Sequence, residues 1–75
     1  VKIDRSFVQP IGETADSTAI VDAIVELGHA LGLLVTAEGV ETERQREYLR
    51  FIGCDEIQGF LFSGPVPPEA INEML

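Results

Sequence analysis

Three short apolar stretches, Val1 to Val8, Leu33 to Val40 and Ile57 to Phe62, alternate along the chain with three segments whose apolar residues recur at helical spacing. The implied order is strand, helix, strand, helix, strand, helix. Strands separated by helical crossovers are the signature of parallel βαβ units, which connect right-handedly and bury both faces of their sheet. Three strands cannot close a barrel. From the pattern alone, an open doubly wound sheet and a slice of a (β/α)8 barrel remain equally open.

The helical segments carry their own start and stop signals. In the first, Ile20, Ile24, Leu27 and Leu31 fall at i, i+4, i+7 and i+11, one stripe that is expected to lie on the sheet. Asp16 or Ser17 can cap its start, and Gly32 can end it. The second opens at Thr42 with Gln45 three positions on, the spacing of a capping box, and is expected to bury Tyr48, Leu49 and Ile52 before ending at Gly53. The third follows Pro67 and Pro68, whose fixed backbone angle suits a helix start, and is expected to bury Ala70, Ile71 and Met74.

Composition narrows what such a chain does. With 75 residues, it has room for one small domain whose core is marginal, because folded chains this short bury only about 60% of their unfolded surface. Hydrophobic residues make up 45%, which excludes a disordered tail. The single cysteine, Cys54, cannot form an internal disulfide, and no Cys/His cluster stands at zinc spacing, so a reducing compartment is expected. A net charge of -8 repels nucleic-acid backbones and anionic lipid surfaces, so DNA binding is not expected. No apolar run approaches the roughly 20 residues that span a bilayer, and a cytoplasmic location is expected. The chain begins at Val1 within a strand pattern, which reads as a piece of something longer.

A buried parallel strand should be nearly continuous aliphatics, so its polar residues ask for a reason. Lys2 and Asp4 interrupt the first strand, Thr36 and Glu38 the second, and Gln58 the third. Side chains alternate along a strand, so Lys2 and Asp4 share one face and Thr36 and Glu38 share another. If those faces point inward, a lysine, two carboxylates and a glutamine converge on one cavity. Such a cluster is either a structural ion pair, or a place where carboxylates bind a divalent cation or orient water while the lysine offsets charge on a phosphate. Glu38, at the end of its strand just before Gly39, favours the second reading, because strand C-termini carry the chemistry of β/α folds. Other polar residues have plainer readings. His29 has no ligand partner at metal spacing and suits a surface or interface role. Cys54 lacks basic neighbours and suits a packed thiol. Glu41, Glu43 and Glu47, interleaved with Arg44, Arg46 and Arg50, suit a solvated helix face.

The segments Lys2-Ile3-Asp4-Arg5-Ser6-Phe7-Val8, Ala37-Glu38-Gly39-Val40-Glu41-Thr42, Gly53-Cys54-Asp55, and Gln58-Gly59-Phe60-Leu61-Phe62-Ser63 with Pro65 closely resemble, in order and spacing, the last third of EAL domains. The resemblance covers residues 1–75. It implies an α/β fold in which three βα units with parallel strands form the C-terminal portion of a TIM-like (β/α)8 barrel, the N-terminal two-thirds lying outside this chain. It also implies a cytoplasmic parent protein, either free or tethered to the inner membrane through upstream segments. That parent would be a phosphodiesterase that hydrolyses cyclic-di-GMP to linear pGpG with Mg2+ or Mn2+.

By the same resemblance, Lys2 and Glu38 are the catalytic residues. Lys2 would sit beside the attacking water and the scissile phosphate, and Glu38 would bind or orient the metal and its water. Asp4 would fix the lysine, while Glu41 and Gln58 would shape the site or contact substrate. Glu41 could equally stabilise a helix N-terminus, and Gln58 could bond backbone inside a barrel. The namesake Glu-Ala-Leu segment, other metal-binding carboxylates and an Asp-Asp pair belong to a region upstream of this chain, so the 75 residues alone are expected to be inactive. The alternative is a degenerate EAL domain acting as a cyclic-di-GMP receptor or interaction module. The isolated chain is expected to self-associate through its open sheet edge, and the parent is expected to be a homodimer.

Overall fold

The computed structural model describes residues 1–14, 16–59 and 62–68. Its elements are β1 (Lys2–Ile3), α1 (Arg5–Val8), α2 (Ala19–Ala30), β2 (Thr36–Val40), α3 (Glu43–Phe51), β3 (Glu56–Gly59) and β4 (Phe62–Val66). The strands form one sheet in the order β1-β2-β3-β4, with β1, β2 and β3 parallel and β4 antiparallel to β3. The parallel βαβ arrangement follows the sequence pattern. The antiparallel return of β4 was not legible in it. The expected third helix, with Ala70, Ile71 and Met74, lies outside the described residues, as do Phe60 and Leu61 of the expected third strand.

Register explains which strand positions are apolar. Ile3 pairs with Ala37, and Ala37 with Ile57, and all three are fully buried. This row faces the helices and joins Val8, Val21, Val25 and Leu49 in the core. One residue earlier in each strand, Lys2 pairs with Thr36 and Thr36 with Glu56, so the polar positions make the opposite row.

The first strand is shorter than the sequence suggested. Asp4 ends it by becoming the N-cap of α1, its carboxylate accepting from the Ser6 N–H at 2.9 Å. Asp4 therefore lies outside the β1 ladder, and the expectation that alternation puts it on the face of Lys2 is corrected by this local cap.

The face that α2 turns to the sheet also differs from the expected stripe. Val21, Val25 and Gly28 are buried, whereas Ile20, Leu27 and Leu31 are 52%, 62% and 65% exposed; Ile24 alone of the expected set packs against the core. Small residues let this helix ride close to the sheet: a Cβ on Gly28 would stand 2.6 Å from Val35 Cγ2. Neither Asp16 nor Ser17 caps α2. Thr18 holds the N-cap position without a side-chain bond, and the Ser17 hydroxyl donates to the Thr14 carbonyl instead. The far end closes as expected, with the N–H groups of Gly32 and Leu33 bonded back to the His29 and Gly28 carbonyls.

The capping box of α3 is present: the Thr42 hydroxyl accepts from the Gln45 N–H, and Gln45 Oε1 accepts from the N–H groups of Thr42 and Glu41. Leu49 is fully buried, with Tyr48 and Ile52 packed beside the core. The solvated-face reading of this helix needs one correction. Arg46 is buried, donating to the Pro68 carbonyl at 2.8 Å and pairing with Glu43 and Glu47.

Ile20, Leu27, Leu31, Leu33 and Val1 leave a broad apolar surface uncovered beside the β1 edge. Contiguous apolar surface of this kind drives association. The isolated 75-residue chain is therefore expected to form dimers or larger species at high concentration. Light scattering that reports a well-folded monomer across the concentration range would contradict this.

Candidate active site

Lys2 and Glu38 come together on the polar face of the sheet. Lys2 lies in β1 and Glu38 two residues beyond its register partner Thr36 in β2, and Nζ stands 3.6 Å from Glu38 Oε2. The pair is open to solvent, with side-chain exposures of 65% and 36%. Exposed ion pairs contribute little to stability, so a structural role in holding the fold together is not what this pair is suited to. It leaves a cation and a carboxylate side by side and accessible.

A bulge aims Glu38. Ala37 pairs with Ile57 and Val40 with Gly59, so β2 has one residue more than β3 between these pairs, and Glu38 and Gly39 together stand opposite Gln58. Gly39 adopts φ +72°, a left-handed conformation that suits glycine. A Cβ there would meet Arg5 Cβ at 2.5 Å, so the first turn of α1 lies directly against the bulge. Gly59 makes the matching close approach on the other side, where a Cβ would fall 1.9 Å from the Val40 carbonyl oxygen.

The supporting residues are placed unevenly. Gln58 follows Glu56 by two residues in β3, and so alternates onto the polar side opposite the bulge. Glu41 stands in the loop after β2, exposed, with its N–H fixed by Gln45. Asp4 is engaged by its own helix; the Ser6 backbone N–H holds its carboxyl below the usual carboxylate range. Sequence reasoning missed Glu56, which accepts a 2.9 Å hydrogen bond from the Thr36 hydroxyl in the same cross-strand row as Lys2. Its position two residues before Gln58 was the available signal.

Other titratable groups lie apart from this pair. Burial pushes the Cys54 thiol up to about 11, and its sulfur lies 3.2 Å from the Glu56 carbonyl oxygen, as a packed thiol should. The His29 ring donates from Nε2 to Asp55 at 2.6 Å. Burial raises the Asp55 pKa, but the bonds from His29 and the Val35 N–H outweigh it, and the net shift is downward. No group of three His, Cys, Asp or Glu among the described residues could hold a metal ion. Glu38 is one available carboxylate ligand, and it does not by itself complete a two-cation centre.

A mostly parallel β/α sheet that sets a lysine and a glutamate of adjacent strands together on its polar face is an arrangement that barrel-type β/α domains supply. The family described as EAL domain matches residues 1–65, and the chain belongs to it. Among curated relatives, the bifunctional diguanylate cyclase/cyclic di-GMP phosphodiesterase MucR of Pseudomonas aeruginosa is 49% identical over 71 residues, covering 95% of this chain and 10% of MucR. The cyclic di-GMP phosphodiesterase NbdA of the same organism is 43% identical over 75 residues, covering 100% of this chain and 10% of NbdA. A solved structure of the MucR phosphodiesterase in complex with c-di-GMP superposes with a TM-score of 0.77 at 50% identity, over 93% of this chain and 28% of that one. The chain thus spans about a tenth of the length of these curated relatives. The solved structures it matches are EAL domains, of the TIM-barrel type. Among the described residues, no helix is long and apolar enough to cross a membrane.

Proposed function

We propose that this chain is the C-terminal part of an EAL domain whose intact protein hydrolyses cyclic-di-GMP to linear pGpG, and that Lys2 and Glu38 are catalytic. The observation that carries the reading is the accessible 3.6 Å pairing of Lys2 with Glu38 at the bulged end of β2. Its family membership and the activity named for MucR and NbdA support the substrate. The uncovered apolar surface beside β1 supports a barrel completed by further βα units.

In this reading, water attacks phosphorus and the bond to the 3′ oxygen breaks; that oxygen takes up a proton to become a 3′ hydroxyl, and the phosphate stays on the 5′ oxygen of a linear dinucleotide. The Lys2 ammonium holds the water and offsets negative charge on the phosphoryl oxygens as it builds. Glu38 accepts the water proton, and it would also be a ligand for a cation that, when bound, would lower the pKa of the water. Gln58, opposite the bulge, and Glu41, in the loop beyond it, border the substrate. Asp4 fixes the turn that follows Lys2 through its cap. Mg2+ or Mn2+ belongs to this proposal, with the remaining ligands supplied from outside the chain. The intact protein is read as cytoplasmic at this domain and the 75-residue piece as inactive alone.

Incubating the intact protein with cyclic-di-GMP and separating the products by chromatography tests the reading. pGpG should accumulate with the native protein and not with a Glu38 variant. Tight binding without cleavage would instead make the domain a receptor.

A further inference from the structure

A ligand with two phosphodiesters brings two negative charges to a chain of net charge -8, so the site needs cations that are not already committed. The chain has five basic residues, and four are engaged. Lys2 pairs with Glu38 and is already assigned to the phosphate that is cut, Arg50 pairs with Glu47, Arg46 with Glu43 and Glu47, and Arg44 donates to the Gly12 carbonyl. The fifth, Arg5, is exposed. Among the described residues its guanidinium has no hydrogen bond or salt bridge, and its charge reaches only the neighbouring Asp4 as a minor influence.

Its stem nevertheless lies against the bulge. Arg5 is the first residue of α1, two residues after β1 ends its pairing, and its Cβ and Nε lie 2.5 and 3.5 Å from where a Cβ on Gly39 would be. Gly39 follows Glu38 directly. An otherwise idle guanidinium is thus held against the bulge that aims the carboxylate, at the strand ends where the substrate is placed. Guanidinium recognises phosphate through paired, charge-assisted hydrogen bonds, and its planar fork loses less freedom per bond formed than a flexible ammonium does.

We infer that Arg5 binds the second phosphodiester of the cyclic dinucleotide, the one that is not cut, and so sets affinity at the same site. This inference rests on the phosphodiesterase reading. The test uses the intact protein with Arg5→Gln, Arg5→Lys and Glu38→Gln variants. Binding of cyclic-di-GMP is measured by calorimetry with chelator at several salt concentrations, beside steady-state hydrolysis.

Arg5→Gln should weaken binding roughly tenfold, as loss of a charge-assisted hydrogen bond does. It should also raise KM more than it lowers kcat and flatten the dependence of affinity on salt. Arg5→Lys should restore the native salt dependence but only part of the affinity, because an ammonium keeps the charge and cannot make the paired bonds. Arg5→Gln affinity within about twofold of native, the size of an ordinary surface substitution, would overturn the inference. Weakened binding with an unchanged salt dependence would overturn it too, since the contact would then be to a neutral base or through packing. Glu38→Gln separates the two levels. If it abolishes hydrolysis while Arg5→Gln changes nothing, the enzyme reading stands and Arg5 falls. If the native protein does not bind the dinucleotide, both fall.

Discussion

Lys2→Ala and Glu38→Ala, each made in the intact protein, are expected to lower turnover of cyclic-di-GMP by several orders of magnitude while leaving the fold in place. The size follows from what each side chain is asked to supply. Removing one donor aimed at developing oxyanion charge costs about 10²–10³ in rate, and a misplaced or missing general base costs a further comparable factor. The fold should survive because both side chains are partly exposed and their ion pair is of the kind that contributes little to stability. Circular dichroism and the melting temperature should therefore stay near native. Near-native hydrolysis by either variant would remove that residue from the mechanism.

Gly59→Ala is expected to act through structure instead. The new methyl would sit 1.9 Å from the Val40 carbonyl oxygen and 2.8 Å from its carbon. Both are backbone atoms in the β2–β3 ladder and cannot rotate aside as the end of a flexible side chain can. Overpacking of a close contact costs about 1–3 kcal/mol, and here relief also requires parting the two strands that flank the bulge. The variant should melt well below the native protein. It should also lose activity, because the displaced bulge carries Glu38. A melting temperature unchanged by Gly59→Ala would mean that β2 and β3 do not approach as described.

What the sequence disclosed, and what it hid, depended on whether the signal was local. The Thr42 and Gln45 capping box was legible because its two residues satisfy each other within one turn. The parallel order of β1, β2 and β3 was legible because helical crossovers leave few other connections. The sheet-facing side of α2 was misread because that helix is apolar on more than one side. The larger Ile20, Leu27 and Leu31 fitted the helical period as well as Val21 and Val25 did, and only the close approach at Gly28 decides between them. Asp4 was misread because a strand position and an N-cap compete for the same residue, and the bond to Ser6 wins.

Within the site, alternation along the strands brought Lys2 and Glu38 into view. The bulge at Glu38 and Gly39 depends on pairing with β3, and so could not be read from β2 alone. Arg5 escaped notice for a similar reason. Its contact with Gly39 joins residues 34 positions apart, and its lack of a carboxylate partner among the described residues shows only once every other basic residue is seen to be engaged.

The most direct measurement is a crystal structure of the intact domain with cyclic-di-GMP bound. One phosphate of the dinucleotide should lie within hydrogen-bonding reach of Lys2 Nζ, with Glu38 facing the same phosphorus directly or through one water or cation. A dinucleotide seated elsewhere, with neither group directed at a phosphate, would contradict the account.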